Sequence, residues 1–233
     1  MNPTPPRGHI ALTFDDDFIE NWHALQAVFE PFGARATYFV CRFEQLSGDQ
    51  LSLLANMRDY GHEIGSHGLN HLSVQNDFKT DPARIPEYLE REILPSIKIM
   101  DEAGFRPRSF AYPYGHHNEA YDQAVLPHFE QIRATAYKKR LRPPHWLKSI
   151  YHRAGSGQRL HHGLGIDVNY GLSDGQLDRV LRKAQREQLT VCFYAHNPGE
   201  AGDDYIVRPQ RLRFLCERAQ ALGMGFKTLS ELV

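Results

Sequence analysis

The feature that most constrains this chain is its alternation: short apolar runs of strand length are separated by segments whose apolar residues recur at helical spacing. His9 to Phe14 reads as a buried strand, Ile19 to Phe29 as a helix ahead of Pro31, and Ala36 to Val40 as a second strand. Asp49 to Tyr60 reads as a helix closed by Gly61, and His62 to Ser66 as a third strand. Asp81 to Ala103 is helical by pattern and stops at Gly104, with Pro86 near its start and Pro95 inside, where a missing N–H starts or kinks a helix. Ser109 to Tyr112, Ile132 to Tyr137, Ile150 to Arg153, Leu189 to Ala195 and Phe226 to Leu229 are further strand candidates. Helices are expected at Glu119 to Phe129, Asp174 to Gln188 and Arg208 to Leu222. Strands alternating with helices predict parallel βα units, and about eight of them allow closure into a barrel.

With 233 residues, 41% hydrophobic and 24% charged, the chain is sized for one α/β-barrel domain spanning residues 1–233. A net charge of −1 gives no field that gathers nucleic acid or an anionic membrane, so neither is expected as a partner. Cys41, Cys192 and Cys216 are widely spaced with no CxxC pair, which fits reduced thiols. The N-terminus lacks a basic start followed by an apolar run, and no stretch approaches the roughly 20 apolar residues of a membrane span. The expected location is cytoplasmic, or extracellular had a leader been removed. Lys138 to His145, with Pro143-Pro144, reads as a long irregular loop.

In barrels of this kind function gathers at the C-terminal ends of the strands. Asp15 and Asp16 follow the first strand, His67 and His71 the third, Tyr114 the fourth, and His196 the run Leu189 to Ala195. Adjacent carboxylates on a strand diverge, so one is free to bind a metal while the other faces a reacting water. His67 and His71, four apart, share a side on a helical turn, and with one carboxylate they make a His₂Asp set with positions left open. Taken singly, each motif has an ordinary reading: a run of aspartates caps a helix or sits in solvent, and 13 histidines produce chance pairs. Their joint position at strand ends favours a site. His196 at the end of an apolar strand is a candidate general acid.

Thr13-Phe14-Asp15-Asp16-Asp17, Ser66-His67-Gly68-Leu69-Asn70-His71, Tyr112-Pro113-Tyr114-Gly115 and the strand ending in His196 resemble, in order and spacing, the motifs of the NodB-homology polysaccharide deacetylases, carbohydrate esterase family four. The resemblance covers residues from about 9 to 230. It implies a distorted (β/α) barrel, seven or eight strands in one domain, and a divalent metal on Asp16, His67 and His71. Zinc is the default ion for two imidazoles and a carboxylate, with cobalt, nickel, iron and manganese as alternatives. By the same resemblance Asp15 is the general base, His196 the acid, and the Tyr114 backbone N–H part of the oxyanion site. The implied substrate is an acetylated carbohydrate or related small molecule, N-acetyl in preference to O-acetyl. Two alternatives remain open: hydrolysis of cyclic amides or imides on the same fold, and a non-catalytic glycan-binding relative.

Three positions depart from the family pattern. Asp17 stands where glycine is usual, Gly68 where Ser or Thr is usual, and Ala111 where an arginine usually orients the catalytic aspartate. Arg153, at the end of another strand candidate, is the sequence's replacement for that arginine, set against an ordinary surface role. The aspartate that tunes the acid histidine has no clear match, and Asp167 and Asp203 are both candidates. His116 and His117 follow the Pro-Tyr-Gly turn closely enough to line a groove, His161-His162 has a weaker claim, and Trp146 is a candidate sugar-stacking residue or a loop anchor. Gly171-Leu172-Ser173-Asp174-Gly175 matches the serine nucleophile string, but Gln176 three residues after Ser173 makes a capping box instead.

Overall fold

The computed structural model describes residues 7–136 and 143–233. Among them, seven parallel strands close into a barrel: β1 (His9–Asp16), β2 (Ala36–Val40), β3 (Glu63–Ser66), β4 (Ser109–Ala111), β5 (Gln131–Thr135), β6 (Leu160–Gly165) and β7 (Thr190–Ala195). Closure is direct, with β1 pairing β2 from Leu12↔Ala36 to Asp16↔Val40 and pairing β7 from His9↔Thr190 to Phe14↔Ala195.

Alternation along β1 sorts its side chains by layer. Ile10, Leu12 and Phe14 pack outward against Trp22, Leu25 and Phe29 of the helical layer. Ala11 turns inward, where Phe39, Ala111 and Cys192 fill the barrel and Leu229 and Leu232 plug one end. The three cysteines are free and buried, in keeping with reduced thiols. No helix among the described residues is long and apolar enough to cross a membrane.

The count of strands agrees with the expectation, but their identities differ in part. β6, reading Leu-His-His-Gly-Leu-Gly, is absent from the strand candidates because its histidines and glycines hide any apolar alternation. Those glycines make room: a Cβ at Gly163 would lie 3.0 Å from the Tyr194 ring and 3.3 Å from Arg133, and one at Gly165 would lie 2.4 Å from Tyr170. Conversely, the expected strand Ile150 to Arg153 shrinks to Tyr151–His152 and runs antiparallel to β7. The candidate Phe226 to Leu229 becomes Gly225–Phe226, an extra strip beside β1. Of the candidate Ile132 to Tyr137, residue 137 lies outside the described residues, as do residues 138–142 of the expected loop to His145; Pro144–Trp146 forms a 3₁₀ turn.

The region predicted as one helix from Asp81 to Ala103 is segmented as its prolines require: a 3₁₀ turn at Pro82–Arg84, a short helix at Ile85–Tyr88, a π-helical turn at Leu89–Ile93, and helix Leu94–Glu102. Pro95 has no N–H to give the carbonyl of Arg91 four residues earlier. The Asn70 side chain donates to that carbonyl instead, at 3.1 Å, and Leu69 N–H donates to Glu92 O at 3.1 Å. The irregular helix is thus the seat of the loop that follows β3.

Candidate metal and catalytic site

Asp15 and Asp16 end β1, and plain alternation would send Asp16 to the helical layer with Phe14. Asp16 instead adopts φ 91°, a left-handed backbone, and both carboxylates line one cavity. Asp17, which stands where the family usually has glycine, has no positive φ and pairs with Arg42 at 3.2 Å.

His67 and His71 also reach this cavity, though not from a helical turn as expected. Their segment is an irregular loop with φ 78° at Gly68 and φ 61° at His71, which brings the two rings to 4.8 Å. Buried Glu92 holds the loop: its carboxylate accepts from Asn70 N–H at 3.1 Å, Asn70 Nδ2 at 2.8 Å and Leu72 N–H at 3.1 Å. A Cβ on Gly68 would come within 2.6 Å of Glu92 Oε2, so glycine here leaves room for the carboxylate that fixes the loop. Sequence reasoning missed Glu92, whose only local signal was its place just before Pro95.

One oxygen or nitrogen each from Asp16, His67 and His71 lie within 4.8 Å of one another. Asp16 Oδ1 is 3.7 Å from His67 Nε2 and 3.2 Å from His71 Nε2. His67 Nδ1 lies 2.8 Å from the Ala111 carbonyl, so it carries the proton and turns an Nε2 lone pair toward Asp16. Burial pushes the His67 pKa down to about 4, which keeps the imidazole in its ligating, neutral form. Burial alone would raise the Asp16 carboxyl, but the hydrogen bond from His71 and the neighbouring His67 and His196 outweigh it and hold the pKa at about 2. Two imidazoles and an ionised carboxylate, with their donor atoms converging, fit a divalent cation.

Asp15 points into the barrel and receives a hydrogen bond from Arg133 Nη2, the two forming a buried ion pair. The guanidinium is flanked by Phe39 and Tyr194, its Cζ 5.4 Å and 5.2 Å from their ring centroids. Arg153, the sequence's choice for this role, is a correction. Because its short strand runs antiparallel, with His152 opposite Thr190 at the start of β7, Arg153 emerges exposed at the far end of the barrel. The signal for Arg133 was present in β5, where alternation sets Gln131, Arg133 and Thr135 on one face and Ile132 and Ala134 on the other.

His196 sits at the end of β7 with Nδ1 2.7 Å from Asp167 Oδ2, while its backbone N–H donates to Asp167 Oδ1 at 3.1 Å. Trp22 Nε1–H donates to the His196 carbonyl at 2.9 Å. Burial would lower the His196 pKa, but the Asp167 hydrogen bond and the negative charges of Asp15, Asp167 and Asp16 raise it above 6.5. Of the two candidates for this partner, Asp167 is therefore the one in place, and Asp203 lies in an exposed segment.

Tyr114 adopts φ 60° in a turn closed by Gly115 N–H to Tyr112 O at 2.9 Å and His116 N–H to Pro113 O at 3.3 Å, a pattern that does not use the Tyr114 N–H. The cavity, about 380 Å³, is also lined by His116, Thr135, Tyr170, Tyr194 and Tyr205. His117 is tied to Asp122 at 3.0 Å, His161 to Gln131 at 2.8 Å, and exposed Trp146 is not among the cavity's lining residues. Ser173 accepts from Gln176 N–H at 3.3 Å as a helix cap, which removes the serine-nucleophile reading.

Fold and site together define a (β/α) barrel with a candidate cation-binding trio, a buried carboxylate and a polarised histidine at one mouth. The family model for polysaccharide deacetylase matches residues 2–128, more than half of the chain, and the chain belongs to that family. A peptidoglycan-N-acetylglucosamine deacetylase of Bacillus cereus is 30% identical over 112 residues, 48% of this chain and 48% of that protein. The chain spans less than half the length of the curated relatives it matches. Among solved structures, a family 4 acetyl xylan esterase from Clostridium thermocellum in complex with a cobalt ion aligns with a TM-score of 0.62 at 18% identity, covering 96% of this chain and 89% of that one. The Xyl-CE4 domain of a multidomain xylanase from the hindgut metagenome of Trinervitermes trinervoides aligns with a TM-score of 0.61 at 19% identity, covering 97% and 89%. At these identities the likeness is one of fold.

Proposed function

We propose that this protein is a metal-dependent hydrolase that removes acetyl groups from a carbohydrate, N-acetyl in preference to O-acetyl. The observation that carries the reading is the convergence of Asp16, His67 and His71, the Asp15–Arg133 pair and the His196–Asp167 pair on one cavity. Family membership and the Bacillus cereus relative support the substrate class.

A divalent cation on Asp16, His67 and His71 would lower the pKa of water there and polarise the acetyl carbonyl. Asp15 uses one carboxylate oxygen on Arg133 and keeps the other for the proton of the attacking water. The Tyr114 N–H, left free by its turn, meets the oxyanion as the carbonyl carbon becomes tetrahedral. His196, whose affinity for a proton Asp167 raises, gives its proton to the departing nitrogen as the C–N bond breaks, so the products are acetate and an amine. Zinc is the expected ion, with cobalt, nickel, iron and manganese able to serve the same donors.

The test is acetate release from N-acetylglucosamine oligomers and from acetyl xylan, before and after stripping with a chelator, alongside Asp16→Ala. Stripping and the substitution should each abolish turnover, and zinc or cobalt should restore only the wild type. Full activity in the stripped protein would end the reading.

A further inference from the structure

His116 leaves the Pro-Tyr-Gly turn and lines the cavity, with its ring stacked on Tyr114 at 6.0 Å between centroids and 22° between planes. Its Nδ1 lies 2.8 Å from the hydroxyl of Ser73, a buried residue on the loop beyond His71. That hydroxyl already accepts two backbone N–H groups, from Gln75 at 3.2 Å and Asn76 at 3.0 Å. A serine oxygen has two lone pairs and one proton. With both lone pairs engaged, the proton points at His116 Nδ1, which must therefore be the bare, accepting nitrogen of the ring.

We infer that His116 is fixed by Ser73 as the Nε2–H tautomer and serves as a substrate-binding donor, reading an oxygen acceptor on the sugar beside the scissile acetyl group. The inference rests on the reading of the cavity as the substrate site. Among the described residues no protein acceptor takes the Nε2–H, so a ligand oxygen or water must. Partial burial lowers the pKa of this imidazole, in keeping with a neutral ring. The selectivity that follows is for a unit offering a hydroxyl, ether or acetamido oxygen at this place. A free ammonium there would face a donor with nothing to accept from it. Where the position that meets Nε2–H is the 2-substituent of the neighbouring unit, His116 thus favours an acetamido or hydroxyl oxygen there over an ammonium.

Long-range ¹⁵N imidazole spectra of the uniformly labelled protein read the tautomer directly, and affinity for tetra-N-acetylchitotetraose reads the donor. The expected result is a bare Nδ1 and protonated Nε2 at neutral pH, a mixed tautomer in Ser73→Ala, and an Nε2 shift when the tetrasaccharide binds. His116→Phe keeps the stack on Tyr114 and should weaken binding about three- to tenfold, the loss of one hydrogen bond. His116→Gln, which restores an N–H, should recover most of it. A protonated Nδ1 in the wild type, or wild-type affinity in His116→Phe, would overturn the assignment. Absence of acetate release from the wild type counts against the proposed function alone, because tautomer and affinity are measured without turnover.

Discussion

The two halves of the barrel contribute to the mouth in different ways. The first half, through residue 128, matches the family model and supplies Asp15, Asp16, His67, His71 and Tyr114 from contiguous motifs at three strand ends. The second half supplies His196 from the end of a strand, and Arg133 and Asp167, which no local motif marks. In the proposed reaction the first half holds the metal trio, the base and the oxyanion donor, while the second adds the acid His196 together with Arg133 and Asp167, which pair with Asp15 and His196. Where the first half departs from its family pattern, the replacement comes from outside the motif: Arg133 for the arginine absent at Ala111, and Glu92 for the hydroxyl absent at Gly68.

The largest expected effect comes from cutting the link between halves. Arg133→Met leaves the Asp15 carboxylate buried without its partner, which costs about 3–5 kcal/mol of stability. It also frees the rotamer of Asp15, the proposed base, so turnover should fall by about 10²-fold or more. Urea unfolding and acetate release measure the two separately. Near-wild-type values in both would show that Asp15 needs nothing from β5.

Next in size is the loop that carries His71. Glu92→Ala removes the acceptor of Asn70 N–H, Asn70 Nδ2 and Leu72 N–H, and should weaken zinc or cobalt binding about 10- to 100-fold, the usual cost of losing an outer support of metal ligands. Competition with a chromophoric chelator measures it while circular dichroism follows the fold. Unchanged affinity would mean that the contacts of Leu69 and Asn70 with the backbone of the π turn suffice.

A smaller effect, with a defined sign, tests the second half. His196 has a raised pKa, so its protonated form and the stabilisation it brings are complete below the ordinary value of 6.5 and are lost as pH rises through the raised one. Asp167→Asn removes the leading cause of the rise. The alkaline limb of the pH profile should then move to lower pH, and turnover on that limb should drop by about tenfold for each pH unit it moves. An alkaline limb that stays in place would assign it to another group.

What could be read in the sequence follows from range. The βα alternation and the strand ends bearing Asp15, Asp16, His67, His71, Tyr114 and His196 are local patterns, and the structure brings all six side chains or turns to one cavity. β6 was hidden because Gly163 and Gly165 serve the bulk of Tyr194, Arg133 and Tyr170, whose approach to these glycines no local pattern announces. Glu92 was hidden because its role depends on a helix that Pro95 distorts. Asp167 was visible only as one of two aspartates, since nothing local distinguishes a buried partner of His196 from Asp203.

The smallest effect is expected at the residue that sequence favoured. Arg153 had the right charge at the end of a strand candidate, and the error lay in strand direction: a parallel strand would have delivered it to the mouth, whereas pairing of Tyr151 with Val191 and His152 with Thr190 is antiparallel. It ends exposed, near Ser156 and the C-terminal Val233, on the side of the barrel away from Asp15. Arg153→Ala should therefore change stability by no more than about 0.5 kcal/mol and leave acetate release at the wild-type rate. Measured beside Arg133→Met, it turns the choice between two arginines into one comparison. A loss of turnover in Arg153→Ala that matched Arg133→Met would reverse the assignment and, with it, the antiparallel placement of that strand.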